Sequence, residues 1–176
     1  MRLTRFTHEY MDEFKQVYSK KLAKVLSIEE IIIEHLPTMI ESATNDKLKA
    51  GLSDHLVETK THRDRLMQIM SSQGAPAVSE EDKAFRMMVE EAGKEIESIK
   101  DASVRDAVII AAAQAVEHVE MAKYGTLIEW SKQIDDPDAE SLLKDTLGEE
   151  EAADKKLSKV AEGGFFEAGV NEAAAE

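Results

Sequence analysis

Apolar residues recur at three- and four-residue spacing along almost the whole chain, the period of an amphipathic helix rather than of a strand. The first such run extends from about Glu9 to Ser42, with Tyr18, Leu22, Val25, Ile32 and Leu36 on one face. Pro37 falls inside it and should kink the helix or mark a restart. Thr44 and Asn45 read as a turn and cap, and a second helix follows to about Met70 with Leu52, Leu66 and Ile69 inward. Gly74 to Pro76 end it. Ser79 offers an N-cap for a shorter helix to about Lys100, with Asp82 three residues on. A long helix then runs from about Ala102 to Ile134. Asp136-Pro137 supplies a cap and an N1 proline for the last helix, which stops before Gly163-Gly164. Beyond it, Phe165 and Phe166 give the tail two aromatics to pack.

The connections predict the topology. Tight turns make the first two long helices antiparallel, and likewise the last two. About thirty residues with a short helix of their own separate the two pairs. An up-and-down bundle has no use for so long a crossover, whereas a ferritin-like one requires it. The expected architecture is therefore all-α: a ferritin-like four-helix bundle with a short helix in the long crossover. Residues 1–17 form an N-terminal helical extension, 18–162 the bundle and 163–176 a C-terminal tail.

Composition agrees and narrows the function. With 176 residues, 43% apolar, 5% aromatic, eight glycines and three prolines, the chain suits one helical domain with a sizeable core. A formal net charge of −14 repels phosphate backbones, so nucleic acid is not an expected partner. The absence of cysteine excludes thiol catalysis, disulfides and thiolate metal sites. No apolar run reaches the ~18 residues that span a membrane, and no secretory leader is visible, so a cytoplasmic location is expected.

The chemistry lies where polar residues interrupt the apolar faces. Glu29 falls among Val25, Ile32, Ile33 and Leu36 on the first helix. His55, Glu58 and His62 fall inside the second helix's run of Leu52, Leu66 and Ile69. Glu117 and Glu120 share a face with Ile110, Ala113, Tyr124 and Ile128, and Glu150 and Asp154 share one with Leu143, Leu147, Leu157 and Ala161. Every long helix thus places a carboxylate where a leucine would serve. Counted from the connecting turns, Glu29, Glu58, His62, Glu117, Glu120, Glu150 and Asp154 reach one level. His55 sits only 10 or 11 residues from its turn and ranks as a neighbour of the ligands. Burying an ionised carboxylate unpaired costs several kcal/mol, and these faces carry no arginine or lysine. Cations are the economical answer.

Carboxylates with one or two imidazoles suit two iron ions, or manganese. A pair held by bridging glutamates can exchange two electrons with dioxygen or peroxide, so an oxidase- or peroxidase-like activity is one reading. The rival is a non-enzymatic structural protein whose acidic layer is partly protonated and fixes helix register. Tyr124 reads as a core tyrosine bonded to a ligand carboxylate, and His118 as a neighbouring histidine. His8 and His35 are expected in solvent. Trp130 points away from the layer, toward a subunit interface or ordinary packing.

Ser27-Ile28-Glu29 through Leu36-Pro37, His55-Leu56-Val57-Glu58-Thr59 and Ala113-Gln114-Ala115-Val116-Glu117-His118-Val119-Glu120 with Tyr124-Gly125-Thr126 resemble the bacterial YciE/YciF family. So do Glu149-Glu150 through Asp154 and Gly169-Val170-Asn171, and the likeness spans about residues 18–172. It implies a ferritin-like domain, a homodimer and a link to bacterial stress responses. More distantly, the chain is similar to rubrerythrins. It departs from the usual Glu-x-x-His pattern of di-iron bundles: Glu58 is followed three residues later by Thr61, and Glu150 by Ala153.

Overall fold

The computed structural model describes residues 2–164 and 167–176, with side chains from Met11 onward other than Glu167. Five helices carry the fold: α1 (Arg2–Ser42), α2 (Asp46–Ser72), α3 (Lys83–Ser98), α4 (Ala102–Gln133) and α5 (Pro137–Glu162). A two-residue antiparallel ribbon, β1 (Gly163–Gly164) with β2 (Glu167–Ala168), and the short α6 (Val170–Ala173) close the chain.

The helix starts follow from their caps. Asn45 accepts from the Lys47 and Leu48 amides, Asp101 from those of Ser103 and Val104, and Asp136 from that of Ala139 ahead of Pro137. Two expectations change. α1 runs through Pro37, which is exposed and leaves only one carbonyl without its helical donor. The cap of α3 is Asp82 rather than Ser79, accepting from the Phe85 amide. The approach to it is held along α1, with the Glu80 amide on the Ala23 carbonyl and the Asp82 amide on Ser27 Oγ. The chain therefore cannot turn helical before residue 83. His8 and the two tail phenylalanines lie outside the described side chains.

α1 and α2 form one antiparallel hairpin and α4 and α5 the other. The crossover returns the chain along the outside, so α2 and α4 run parallel, and α3 packs principally on α1 and α4. Asp106 joins the hairpins at one end, taking the Thr44 amide at 2.8 Å, the Thr44 hydroxyl at 2.6 Å and the Asn45 amide at 2.7 Å. Gln73 donates to Asp136 at 2.7 Å at the other end. The α4–α5 turn itself needs Asp135 in the left-handed region (φ 59), which aspartate tolerates. Trp130 packs on the Phe14 ring at 5.2 Å between centroids, so α1 itself covers that indole.

The apolar core falls into two parts. One gathers Ile31, Leu36, Leu52, Ile109 and Leu157 toward the Asp106 end. The other gathers Tyr18, Leu22, Leu66, Leu127 and Leu143 toward the Gln73 end. Between them lies a buried polar layer: Glu29, His55, Thr59, His62, Glu117, Glu120, Thr146 and Glu150. Among the described residues, no helix is long and apolar enough to cross a membrane.

Candidate metal centre

The inward seam of each helix decides which polar residues enter this layer. On α2 the buried positions, apart from Met70 at the end, are Leu48, Leu52, His55, Thr59, His62, Leu66 and Ile69, an alternation of three and four. On α5 they are Ala139, Leu143, Thr146, Glu150, Ala153, Leu157 and Ala161. α4 contributes Glu117 and Glu120, and α1 contributes Glu29. Glu58 and Asp154 each stand one residue off these seams.

Two groups of donors result. His55, Glu117, Glu120 and Glu150 each offer one atom such that all lie within 4.8 Å of one another, and Glu29, His62 and Glu150 do the same. Glu150 belongs to both. Within the second group, His62 Nδ1 is 2.8 Å from Glu150 Oε1 and 3.9 Å from Glu29 Oε2. Within the first, His55 Nε2 is 3.4 Å from Glu117 Oε1. Glu29, His62, Glu120 and Glu150 are fully inaccessible to solvent.

An outer set of bonds fixes these groups. Tyr124 donates its phenolic proton to Glu29 Oε1. His62 Nε2 lies 2.8 Å from Glu149 Oε2, which leaves Nδ1 facing inward. Arg65 grips both oxygens of Glu149 and donates to Thr146 Oγ1 at 3.1 Å. A carboxylate behind a histidine in this way sets the ring's tautomer and orientation, as it does for metal-bound imidazoles.

The electrostatics are those of an uncompensated acidic core. Burial pushes the Glu29, Glu117 and Glu120 carboxyls well above the ordinary range; the neighbouring Glu150 charge adds to this, while His62 partly relieves Glu29. Burial also opposes ionisation of Glu150, yet the His62 imidazole beside it holds Glu150 below its usual value. Burial pulls His55 down, and it would pull His62 down too, but Glu150 and Glu29 raise His62 to about 8. Nine side-chain atoms of the layer lack a well-formed hydrogen bond and meet at most one another in ion-pair approaches such as His62 Nδ1 to Glu150 Oε1: Glu29 Oε2, both nitrogens of His55, His62 Nδ1, Glu117 Oε2 and both oxygens of Glu120 and Glu150. Such orphaned donors and acceptors are rare in a folded core. Hard oxygens with two imidazoles facing one another fit iron or manganese.

Of the seven ligands expected, Glu29, His62, Glu117, Glu120 and Glu150 meet in these groups. Glu58 is partly exposed, with Oε2 3.9 Å from His55 Nδ1 and Oε1 3.6 Å from Lys156 Nζ. Asp154 accepts from Gln114 at 3.1 Å and faces His118 at 3.7 Å, outside the layer. His55, ranked as a neighbour, stands inside the first group. The signal for it was the three–four alternation itself, which passes through His55, Thr59 and His62 and skips Glu58. Read on that seam, the pattern of paired ligands becomes Thr59-x-x-His62 on α2 and Glu150-x-x-Ala153 on α5. Each helix keeps one member of the pair. Glu149 and Arg65, which orient His62, were not singled out as site residues by the sequence, where Glu149 entered only through the family resemblance. His35, expected in solvent, is half-buried with Nε2 unpartnered.

Comparison with known proteins gives a consistent relationship. The family model described as Domain of unknown function (DUF892) matches residues 13–175. Protein YciF of Escherichia coli is 36% identical over 152 residues, 86% of this chain and 92% of that protein. The solved structure of the E. coli stress protein YciF superposes with a TM-score of 0.79 at 36% identity, covering 83% of this chain and 92% of that one. YcfI of Rhodopseudomonas palustris, a candidate structural protein, gives a TM-score of 0.82 at 38% identity, covering 84% and 94%. A Xanthomonas campestris protein shares the fold at 16% identity, with a TM-score of 0.67 over 83% of this chain and 90% of that one.

Proposed function

The chain belongs to the DUF892 family, and we propose that its buried layer is a two-ion iron or manganese centre that handles iron or peroxide under stress. The observation that carries this reading is the set of nine buried polar atoms without a well-formed hydrogen bond, gathered into two donor groups at one level. Glu29, His62 and Glu150 would hold one ion, and His55, Glu117, Glu120 and Glu150 the other, with Glu150 as the bridge. Once bound, such a pair supplies two-electron exchange with dioxygen or peroxide. The chain's own part is to hold and shield. Tyr124 fixes one oxygen of Glu29, Glu149 and Arg65 fix His62, and the apolar blocks above and below exclude bulk water. Glu58 and Asp154 flank the layer, each within reach of one histidine, and serve as outer carboxylates. A link to stress follows from the relationship to YciF. A homodimer is part of the same reading and is tested by gel filtration.

A second reading has one observation in its favour. Carboxyls driven this far above their ordinary range by burial can remain protonated, so the layer could fix helix register without metal. Metal analysis of protein purified without chelator, followed by anaerobic Fe(II) or Mn(II) titration, separates the two. We expect about two ions per chain, lost in the double variant Glu29→Gln, Glu117→Gln. Full occupancy in that variant would refute the ligand assignment. A wild type that takes up no metal would leave the structural reading.

A further inference from the structure

α3 does not seal the flank that it covers. Between it and α1 and α4 lies a cavity of about 350 Å³, with the exposed Thr38, Glu90 and Glu97 at its rim. Short side chains leave this space: Gly93 on α3, and Ala112 and Ala115 on α4. A Cβ added at Gly93 would meet nothing within 4 Å. A second cavity of about 30 Å³ lies further in. His35, Met39, Val89 and Val116 line both spaces, so the two abut, and of these only His35 is polar. At its inner end the small cavity reaches His55 and Glu117, which belong to one donor group of the acidic layer.

The small cavity is a neck, and its own walls are hydrocarbon. Besides the two donors, the residues that line it without lining the outer cavity are Ile32, Leu36, Leu52 and Ala113, all buried. Volume and lining together decide what can pass. A water-sized guest needs about 10–15 Å³, so the neck has room for a diatomic molecule. A hydrated divalent ion is larger and would have to give up its water against carbon. Hydrogen peroxide is small enough, but its hydroxyls would lose their hydrogen bonds along the hydrocarbon stretch. Dioxygen has none to lose, and apolar cavities in a packed core take up apolar guests.

We propose that the neck bounded by Ile32, Leu36 and Ala113 is a dioxygen port. It admits the gas from the cavity under α3 and holds it beside His55 and Glu117. Ala113 keeps the neck open, since a larger side chain at that seam position would fill it. The inference rests on the two-ion reading only for the use made of the gas; the port itself needs no ion.

The test places metal-free protein under dioxygen pressure and reads the paramagnetic relaxation of its methyl groups by NMR. The methyls of Ile32, Leu36 and Ala113 should relax about threefold faster than those of Leu22 and Leu143, which are as deeply buried in the other half of the core. Ala113→Leu should bring the Ile32 and Leu36 rates down to that background. Val116→Phe closes the neck from its half-buried outer end, and serves if the added bulk at Ala113 unfolds the core. Wild-type rates no higher than at Leu22 and Leu143, or enhanced rates unchanged in a folded variant, would overturn the port. Iron-loaded protein then separates the oxidants. With metal content unchanged, Val116→Phe should slow Fe(II) oxidation by dioxygen about tenfold and leave oxidation by peroxide as it was. Equal slowing with both would overturn the choice of dioxygen. Metal uptake keeps the two ideas apart. Enhanced relaxation at the neck without Fe(II) uptake removes the two-ion reading alone, and Fe(II) uptake without that enhancement removes the port alone.

Discussion

Replacing Glu120 by leucine should stabilise the metal-free protein and weaken the metal-loaded one. Glu120 is fully buried, and beyond its approach to the Glu29 carboxyl its oxygens have no hydrogen-bond partner. Without metal, desolvation and the nearby Glu150 charge drive this carboxyl well above its ordinary range, which favours its neutral form in the folded protein. A buried, unsatisfied polar group still costs about 1–3 kcal/mol, which an apolar side chain of similar size recovers. For a chain of this size, 1 kcal/mol moves the melting temperature by roughly 2–4 °C. The metal-free Glu120→Leu protein should therefore melt about 2–12 °C above the metal-free wild type. Metal reverses the order. An ion at one hundred times its dissociation constant stabilises by about 2.7 kcal/mol, or roughly 5–11 °C. The variant, short of one ligand, should lose most of that increment. The assay is a pair of thermal melts followed by circular dichroism, one after chelation and one after anaerobic Mn(II) or Fe(II) loading. A metal-free variant that melts several degrees below wild type, yet keeps the full metal-induced rise, would show that Glu120 is a satisfied structural group.

Three further outcomes follow from other contacts. Glu149→Ala removes the acceptor behind His62 and should weaken metal binding about 10–100-fold without changing the number of ions, as read by competition with a chromophoric chelator. Asp106→Ala removes three short hydrogen bonds at the α1–α2 turn and should cost about 2–4 kcal/mol by urea unfolding. A loss below 0.5 kcal/mol would mean that water replaces the carboxylate there. Burial works against ionising Asp82, but the Lys123 ammonium at 3.1 Å and the Phe85 amide hold it below its ordinary value. Its folded pKa being depressed, its contribution is present above the unfolded value near 3.9 and disappears as pH falls through the folded value. Asp82→Asn should thus lower stability at pH 7 by up to about 1 kcal/mol, because Lys123 is partly exposed. The gap should close once the pH has fallen below the folded value.

The bundle was legible because its seams are regular and its caps are spelled out: Asn45 and Asp136 both cap as their positions suggest. The cap of α3 was not, because Ser79 is a good local candidate that loses to long-range bonds with Ala23 and Ser27. The layer was legible wherever a carboxylate sits on the seam, as at Glu29, Glu117, Glu120 and Glu150. Residue type outweighed position at Glu58 and Asp154, one step off the seam, where about 100° of rotation turns a side chain away. The reverse happened at His55. Counting from the turn measures the height of a backbone position, but an imidazole reaches beyond its own turn, and Ala153 across the seam leaves it room. The part played by Glu149 and Arg65 was invisible because an acid and a base on the flanks of two helices acquire meaning only once His62 stands between them.

The bonds at the two tips of the bundle also govern how its interior can be reached. Asp106 ties the first hairpin's bend to the start of α4, and Gln73 ties the end of α2 to the second hairpin's bend. Splaying at either tip would break charge-assisted bonds, while the flank under α3 is pinned by Ser27 and by Lys123. The remaining flank is stitched by Arg65 and His62 on Glu149, by Arg65 on Thr146 and by Lys156 on Glu58. Exchange of whatever sits at mid-height is therefore set by lateral parting of two rods across these side-chain contacts, a local opening that need not wait for global unfolding. Amides near Arg65 and Glu149 should trade deuterium ahead of those beside Asp106.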